Sequence, residues 1–422
     1  MTFIAYLIVI LGLINLLRMT AFLVGSEIYS TRHHLHARRK KKHTANAFVS
    51  IVIPAHNEEI TIIRALRSIV RNNYPRDKRE IIVIDDGSTD RTSHIVKAYV
   101  KRYGVKNVTL VRQPNGGKAR ALNNGMQGHA NGELIMCLDA DSCLAPDGIR
   151  HAVRYFDDET IVAVASNVKI IPGSGYLNLV QRLEFVVNYQ IKRALTTFNI
   201  EYIIGGIGSV FRKSMLEKVG YYDGNTVTED IDLTMKMLQY GNKKHRLVYG
   251  ADVIAHTEGV LDLKSLIRQR YRWKWGRCQT FLKNRNLFFN TDKRFTKGLT
   301  FIYLPYIIFG ELAFLLEPLL TGIIFYIIIR YRDLYTILSA FLIMWIFIVF
   351  NIIAENTFTL KEKVELFLIS PIMYFLFYIL NFVEYAALIK SLIRLPWLQK
   401  SIDSNICGWN HVARGSAGGQ SL

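Results

Sequence analysis

The apolar residues of this 422-residue chain are segregated into a few long stretches, and nothing else constrains its fold as much. Residues 3–25 carry a single charge, Arg18, and residues 299–329, 334–353 and 366–389 are also long and mainly apolar. A helix needs roughly 20 apolar residues to span a bilayer. The pattern predicts a transmembrane anchor over residues 1–25 and about three spans within residues 291–395. Pro305 and Pro318 interrupt the first C-terminal stretch, so part of it is expected to be interfacial. Half of the residues are hydrophobic and the mean hydropathy is +0.16. That is too apolar for an ordinary soluble enzyme and too polar for a bundle of spans alone. A cleaved signal peptide fits residues 1–25 less well than an anchor. No basic segment precedes the apolar run and no small-x-small site follows it.

The basic run TRHHLHARRKKKH, residues 31–43, follows the first stretch within a linker at 26–47. By the positive-inside rule it lies in the cytoplasm, with the N-terminus outside and the segment up to the next span cytoplasmic. The expected location is the plasma (inner) membrane, crossed several times, with the catalytic domain on the cytoplasmic side. The formal charge of +19 fits anionic lipid headgroups better than nucleic acid, since no nucleic-acid-binding module is recognisable. Cys137, Cys143, Cys278 and Cys407 have no C-x-x-C spacing, so metal or redox work by them is not expected. The C-terminal tail spans 396–422, and its last segment, GSAGGQSL (415–422), reads as disordered.

Residues 48–290 read as one domain. Strands are predicted at 48–54, 80–86, 107–113 and 133–141, with helices over 58–71, after 87–90 and over 116–126. Alternation of strands and helices implies an α/β domain built on a mostly parallel sheet. Such sheets bind ligands at the carboxyl ends of their strands. Asp85, Asp86, Asp139 and Asp141 fall at those ends and are expected to share one crevice.

The stretch IMCLDADSCL, 135–144, brings two carboxylates to the end of an apolar strand. Their repulsion is relieved by a divalent cation with oxygen ligands, completed by water and substrate phosphates. The plainer alternative is a solvated turn that caps the next helix. In VIDDGSTD, 83–90, Asp85 or Asp86 can accept a hydrogen bond from a uracil imide; the alternative is an Asx-turn, which suits Asp90. NGGKA, 115–119, places Lys118 at a helix start suited to an anion. In VTED, 227–230, Thr228 can cap a helix whose dipole favours Glu229 and Asp230. The sharper reading makes Asp230 a general base. RQRYRWKWGR, 268–277, is either an amphipathic helix at the membrane surface or a diphosphate-binding segment, and the two are compatible.

Taken together, IVIPAHNEE, VIDDGSTD, GGKARALNNG, LDADS, TED and QRYRW resemble, in order, the motifs of processive family 2 membrane glycosyltransferases. The resemblance covers about residues 48–280. It implies a GT-A fold, Rossmann-like, with flanking transmembrane helices, and an inverting transfer from a UDP-sugar to a growing polysaccharide. It implies that Asp86, with Asp85, binds uridine and that Asn57 and Glu58 line the nucleotide site. Lys118 then approaches the diphosphate, Asp139 and Asp141 bracket magnesium or manganese, and Asp230 is the base. Gln269 and Arg272 hold the diphosphate and Trp273 stacks on the acceptor sugar. Within the family, GKARALNNGM, CLDADS and VTEDIDLTMK are most similar to poly-β-1,6-N-acetylglucosamine synthases, which points to UDP-N-acetylglucosamine.

Three alternatives stand beside this one. The first is transfer of one sugar to a lipid carrier, the second is a hyaluronan- or cellulose-type synthase, and the third is a scaffold that has lost activity. Glu311, Glu317, Asn351, Asn381 and Glu384 lie within the C-terminal apolar stretches and either line a polymer conduit or hold helices together. A small membrane subunit is a candidate partner in forming the conduit, beside the lipid bilayer itself. Three spans after a cytoplasmic domain place the C-terminus outside, whereas Lys390, Arg394 and Lys400 near it favour the inside.

Overall fold

A computed structural model describes residues 2–39, 47–332 and 334–403. The predicted disordered tail, Cys407 and residues 40–43 of the basic run lie outside the described residues. The strands are β1 Val49–Ala55, β2 Arg79–Asp86, β3 Val108–Gln113, β4 Leu134–Cys137, β5 Cys143–Leu144, β6 Ile161–Ile170, β7 Ser209–Arg212 and β8 Arg246–Thr257. The helices are α1 Thr2–Arg39, α2 Ile62–Val70, α3 Thr92–Tyr103, α4 Lys118–Asn124, α5 Gly148–Tyr155, α6 Tyr176–Phe198 and α7 Lys213–Val219. They continue with α8 Glu229–Leu238, α9 Leu263–Lys283, α10 Leu304–Phe314, α11 Glu317–Tyr331, α12 Leu334–Ala354, α13 Leu360–Arg394 and α14 Leu398–Asp403.

One eight-stranded sheet runs β3-β2-β1-β4-β7-β6-β8-β5. The pairs β1–β2, β1–β4, β2–β3 and β6–β8 are parallel, and β7 and β5 pair antiparallel to their neighbours. The four predicted strands are β1 to β4. All of β1 is buried, as a central strand covered on both faces must be. Alternate residues feed two cores. Ile51, Ile53, Ile81 and Val83 pack under α2, α3 and α5, while Val52, Ile82 and Ile84 face the side of α4 and α6. The strand order reverses between β1 and β4. A crevice opens at such a switch point, beyond the strands' carboxyl ends.

The N-terminal helix does not stop at residue 25. α1 runs on to Arg39, because residues past 25 have partners on the domain. The Ser26 hydroxyl donates to Gln190, the Tyr29 hydroxyl donates to the Tyr249 carbonyl at 2.8 Å, and His33 lies 3.5 Å from Asp252. Thus His33, within the basic run, is paired with the domain.

Among the described residues, Ile337–Ala354 and Phe375–Asp403 are long and apolar enough to cross a membrane. Gly298–Phe314 and Glu317–Tyr331 form a pair bent by 53°, a third span if the two are one. α13 also packs along the domain. Its Leu366, Met373, Leu380 and Val383 meet Leu177, Val180, Leu183 and Val186 of α6 and Leu266 of α9. Of the polar residues in the apolar stretches, Glu311 and Glu384 pair with cations of α9, and Asn351 is buried and donates to the Phe347 carbonyl at 2.7 Å. The two glutamates tie helices together, whereas the Asn351 bond stays within α12.

Candidate active site

The crevice is a cleft of about 780 Å³. Asn57 and Glu58, just past β1, form one side. Lys118 at the start of α4, Asp139 and Asp141 after β4, and Glu229 at the start of α8 form its floor. Arg268, Tyr271, Arg272 and Trp275 of α9 close it, together with Lys390 and Arg394 of α13.

The acidic floor is organised around one cation. Lys118 Nζ lies 2.6 Å from Asp139 Oδ1 and 3.5 Å from Glu229 Oε1. Burial alone would lower the Lys118 pKa, but Asp139 and then Glu229 outweigh it and hold it above the ordinary lysine value. Asp141 is nearly buried and accepts from the Ser142 hydroxyl at 2.9 Å. Its backbone carbonyl accepts from Arg64, which also pairs with Glu258 at 2.6 Å. The turn that carries both aspartates is therefore fixed from below. Asp139 and Asp141 follow β4 rather than ending it, since β4 stops at Cys137.

Asp230 occupies the first turn of α8, where its Oδ1 accepts from the Ile231 amide at 2.9 Å. Burial, then the Glu229 carboxylate, push its pKa up from 3.8 to about 6, against the attraction of Lys118 and Arg272. Thr228 stands at the cap position, but its hydroxyl makes no capping bond and is buried without a partner. It is instead pressed against α9. A Cβ on Gly276 would lie 2.3 Å from Thr228 Oγ1 and 2.5 Å from its Cγ2. Gly276→Ala must therefore move the Thr228–Asp230 turn and α9 apart. We expect a loss of about 1–3 kcal/mol in stability, and a fall in turnover larger than any rise in KM. Unchanged turnover in the variant would show that the approach of α9 to this turn does not matter.

Asp85 and Asp86 are fully buried and do not line the cleft. Asp85 accepts from the Ser88 amide at 2.8 Å and from the Ser93 hydroxyl, and lies 3.6 Å from Arg112. Asp86 accepts from the amides of Gly116 at 2.9 Å and Gly117 at 2.8 Å, and from the Gln113 side chain at 2.7 Å. Gly87, with φ of +72°, lets the 114–117 segment come this close; a Cβ there would lie 2.7 Å from the Asn115 nitrogen. Asp90 makes the expected Asx-turn, accepting from the Thr92 amide at 2.9 Å. Asn57 has a left-handed backbone, φ 56°, and its Oδ1 accepts from the Thr89 amide at 2.8 Å. Glu58 accepts from the Thr61 hydroxyl at 2.5 Å.

On α9 the structure departs from the sequence-based expectation. Arg272 lines the cleft, whereas Gln269 and Trp273 do not. Trp273 instead lies beneath the Arg270 guanidinium, 4.4 Å from its ring centroid. The reason is helical spacing: residues 268, 271, 272 and 275 share one face, and 269 and 273 lie on the next. Tyr271 and Trp275, stacked at 6.5 Å, are the aromatic surface of the cleft. The 3.6-residue period of the RQRYRWKWGR segment carried that signal. Nothing local in the sequence pointed to Lys390 and Arg394, which arrive from more than a hundred residues away.

Residues 50–220 match the family described as Glycosyl transferase family 2. The chain is 29% identical over 355 residues to a probable glycosyltransferase, YdaM, of Bacillus subtilis (strain 168), covering 78% of each protein. It is 31% identical over 269 residues to a poly-beta-1,6-N-acetyl-D-glucosamine synthase of Staphylococcus epidermidis, covering 63% of this chain and 62% of that synthase. The match thus spans less than two thirds of the synthase's own length. Among solved structures, the mannosyltransferase PcManGT from Pyrobaculum calidifontis, in complex with GDP-Man and Mn2+, aligns with a TM-score of 0.54 at 21% identity. That alignment covers 89% of this chain and 99% of that one, and it shows the GT-A fold. The family 2 glycosyl transferase domain over residues 50–220, with glycosyltransferases as relatives along 63–78% of the chain, makes this protein a glycosyltransferase.

Proposed function

We propose that the chain is an inverting, divalent-metal-dependent membrane synthase. It polymerises UDP-N-acetylglucosamine into a β-linked polysaccharide and passes the product across the bilayer, with the catalytic domain on the cytoplasmic side. One observation carries the coupling of transfer to the membrane. α9, which brings Arg272, Tyr271 and Trp275 to the cleft, is ion-paired through Lys274 to Glu311 of α10 at 2.7 Å and to Glu384 of α13 at 2.9 Å. The reacting site and the apolar helices form one mechanical unit. The donor sugar follows the similarity to the Staphylococcus epidermidis synthase.

The donor set fits a magnesium or manganese ion. Asp139 and Asp141 offer carboxylate oxygens only, and the described residues hold no cluster of three or more His, Cys, Asp and Glu side chains that could enclose a metal by themselves. Water and substrate phosphates must complete such a shell. When bound there, the cation neutralises charge on the departing diphosphate.

In the transfer step the acceptor hydroxyl forms a bond to the anomeric carbon from the side opposite the diphosphate, whose bond to that carbon breaks. Asp230 takes the hydroxyl proton, and the negative charge that leaves with the diphosphate meets Arg272. Tyr271 and Trp275 offer the acceptor sugar an apolar face. Asp86 acts through the turn it holds, because its carboxylate fixes the amides of Gly116 and Gly117 and so presents Lys118. Asn57 and Glu58 line the nucleotide side.

The test uses the full chain in nanodiscs with manganese or magnesium and UDP-sugars supplied singly and in pairs, reading UDP release and product size. High-mass product from UDP-N-acetylglucosamine alone is the expected result. A need for two donors moves the chain to the hyaluronan type. Rapid UDP release with only small, lipid-soluble product overturns the processive reading.

A further inference from the structure

We propose that Lys390 and Arg394, at the end of α13, form with Arg268 of α9 a second cationic arm that grips the phosphates of the nucleotide-sugar donor and of the departing nucleoside diphosphate. The inference rests on the glycosyltransferase reading and adds Lys390 and Arg394, which lie outside every recognisable motif.

The two side chains are one helical turn apart on α13 and both line the cleft that holds Asp139 and Arg272. Both are laid over the same ring. Lys390 Nζ lies 4.4 Å and Arg394 Cζ 5.7 Å from the centroid of Tyr271. Cations also complement the carboxyl end of a helix dipole, but that interaction does not require them to be folded onto an aromatic residue of the cleft wall.

Charge pairing separates these cations from their neighbours. On α9, Arg270 meets Glu184, Lys274 meets Glu311 and Glu384, and Arg277 meets Glu311, all at 2.6–2.9 Å. Among the described residues, Arg268, Arg272, Lys390 and Arg394 have no carboxylate within ion-pair distance, and they converge on the cleft. The Nε of Arg272 is buried and unbonded. Uncompensated positive charge focused in a concave site raises the local concentration of anions, and Arg and Lys together suit phosphate oxygens. The carboxylates of the cleft, Asp139, Asp141 and Glu229, come from the segment after β4 and from α8, not from α9 or α13.

Phosphate can also come from an anionic lipid headgroup, so the test separates the two sources. The full chain is placed in nanodiscs of neutral phosphatidylcholine, and in a second set that contains phosphatidylglycerol, and calorimetry measures binding of UDP, of uridine and of the corresponding guanosine pair. The double variant Lys390→Gln/Arg394→Gln is expected to lose about tenfold or more in UDP affinity while uridine binding stays unchanged, as removal of charged hydrogen bonds implies. The charge-preserving variant Lys390→Arg/Arg394→Lys should recover most of that loss. An unchanged UDP affinity in the double variant overturns the arm. So does an equal loss for UDP and uridine, which marks a merely structural role. A variant that binds UDP normally but no longer responds to phosphatidylglycerol in the nanodisc assigns these cations to lipid and also overturns it. If the wild type prefers GDP, the proposed donor falls while the arm is judged on GDP; if it binds neither nucleotide, both fall.

Discussion

Asp230→Asn is expected to lower sugar transfer by about a thousandfold or more, with little change in donor affinity, and at the same time to raise thermal stability. General-base catalysis contributes roughly 10²–10⁴-fold, and Asn keeps the shape while removing the proton acceptor. The pH dependence follows from the pKa of about 6. Asp230 accepts a proton only when ionised, so wild-type turnover should rise through pH 6 and level off above it. The variant's residual activity should lack that limb.

The stability effect has the opposite sign to the activity effect. The folded protein holds the Asp230 proton more tightly than the unfolded chain does, since burial and Glu229 raise the pKa above 3.8. Folding is thus favoured below about pH 4, and the favour is lost as pH rises to 6. At neutral pH the ionised carboxylate costs at most about 3 kcal/mol, at 1.36 kcal/mol per pH unit. The Asn variant should be about 1–3 kcal/mol more stable at pH 7.5 and no more stable near pH 4. Thermal melts at both pH values, beside kcat, decide the matter. A variant that keeps a tenth of wild-type turnover removes Asp230 from the role of base.

That conflict between stability and chemistry was legible only in part from the sequence. VTED announces a helix start, and it equally announces a base; the motif by itself does not say that Thr228 leaves its cap unmade because Gly276 brings α9 against it. The four parallel strands could be read because each is a short β-branched or apolar run bounded by turn residues. The antiparallel pairing of β7 and β5 depends on long-range closure, which no local pattern encodes. Asp85 and Asp86 were placed correctly at a strand end but not by what they touch. Their carboxylates turn inward to hold backbone amides and a serine hydroxyl, and the identity of an acid does not state which way it faces. Glu311 and Glu384 read equally as conduit residues or as ties between helices, because ionisable groups in apolar stretches are costly whichever role keeps them there. Their partners lie on α9, remote in sequence, and only the fold brings them together.

Arg270→Met is the structural change with the largest expected effect. The Arg270 guanidinium is 4% exposed and bonds Glu184 through both Nη atoms, at 2.7 and 2.6 Å, while its Nε lies 3.5 Å from Glu384. It thereby ties α9 to α6 and α13. Removing one partner of a buried pair strands the other charge in a medium that solvates it poorly, at a cost of about 3–5 kcal/mol. Burial already raises the Glu184 pKa above the carboxylate norm, and Arg270 is the group that draws it down. Without Arg270, Glu184 should take up a proton at higher pH, so the variant should lose most stability above neutrality and least in mild acid. Replacing both partners, Arg270→Met with Glu184→Met, leaves no stranded charge at that position and should return much of the loss, because an apolar pair of similar volume suits the site. Thermal unfolding of the two single variants and the double variant in detergent, at pH 6 and pH 8, gives the coupling directly. Additive losses would mean that the pair is incidental. Recovery of stability in the double variant without recovery of transfer would mean that the ion pair also sets the angle at which α9 presents Arg272 to the cleft.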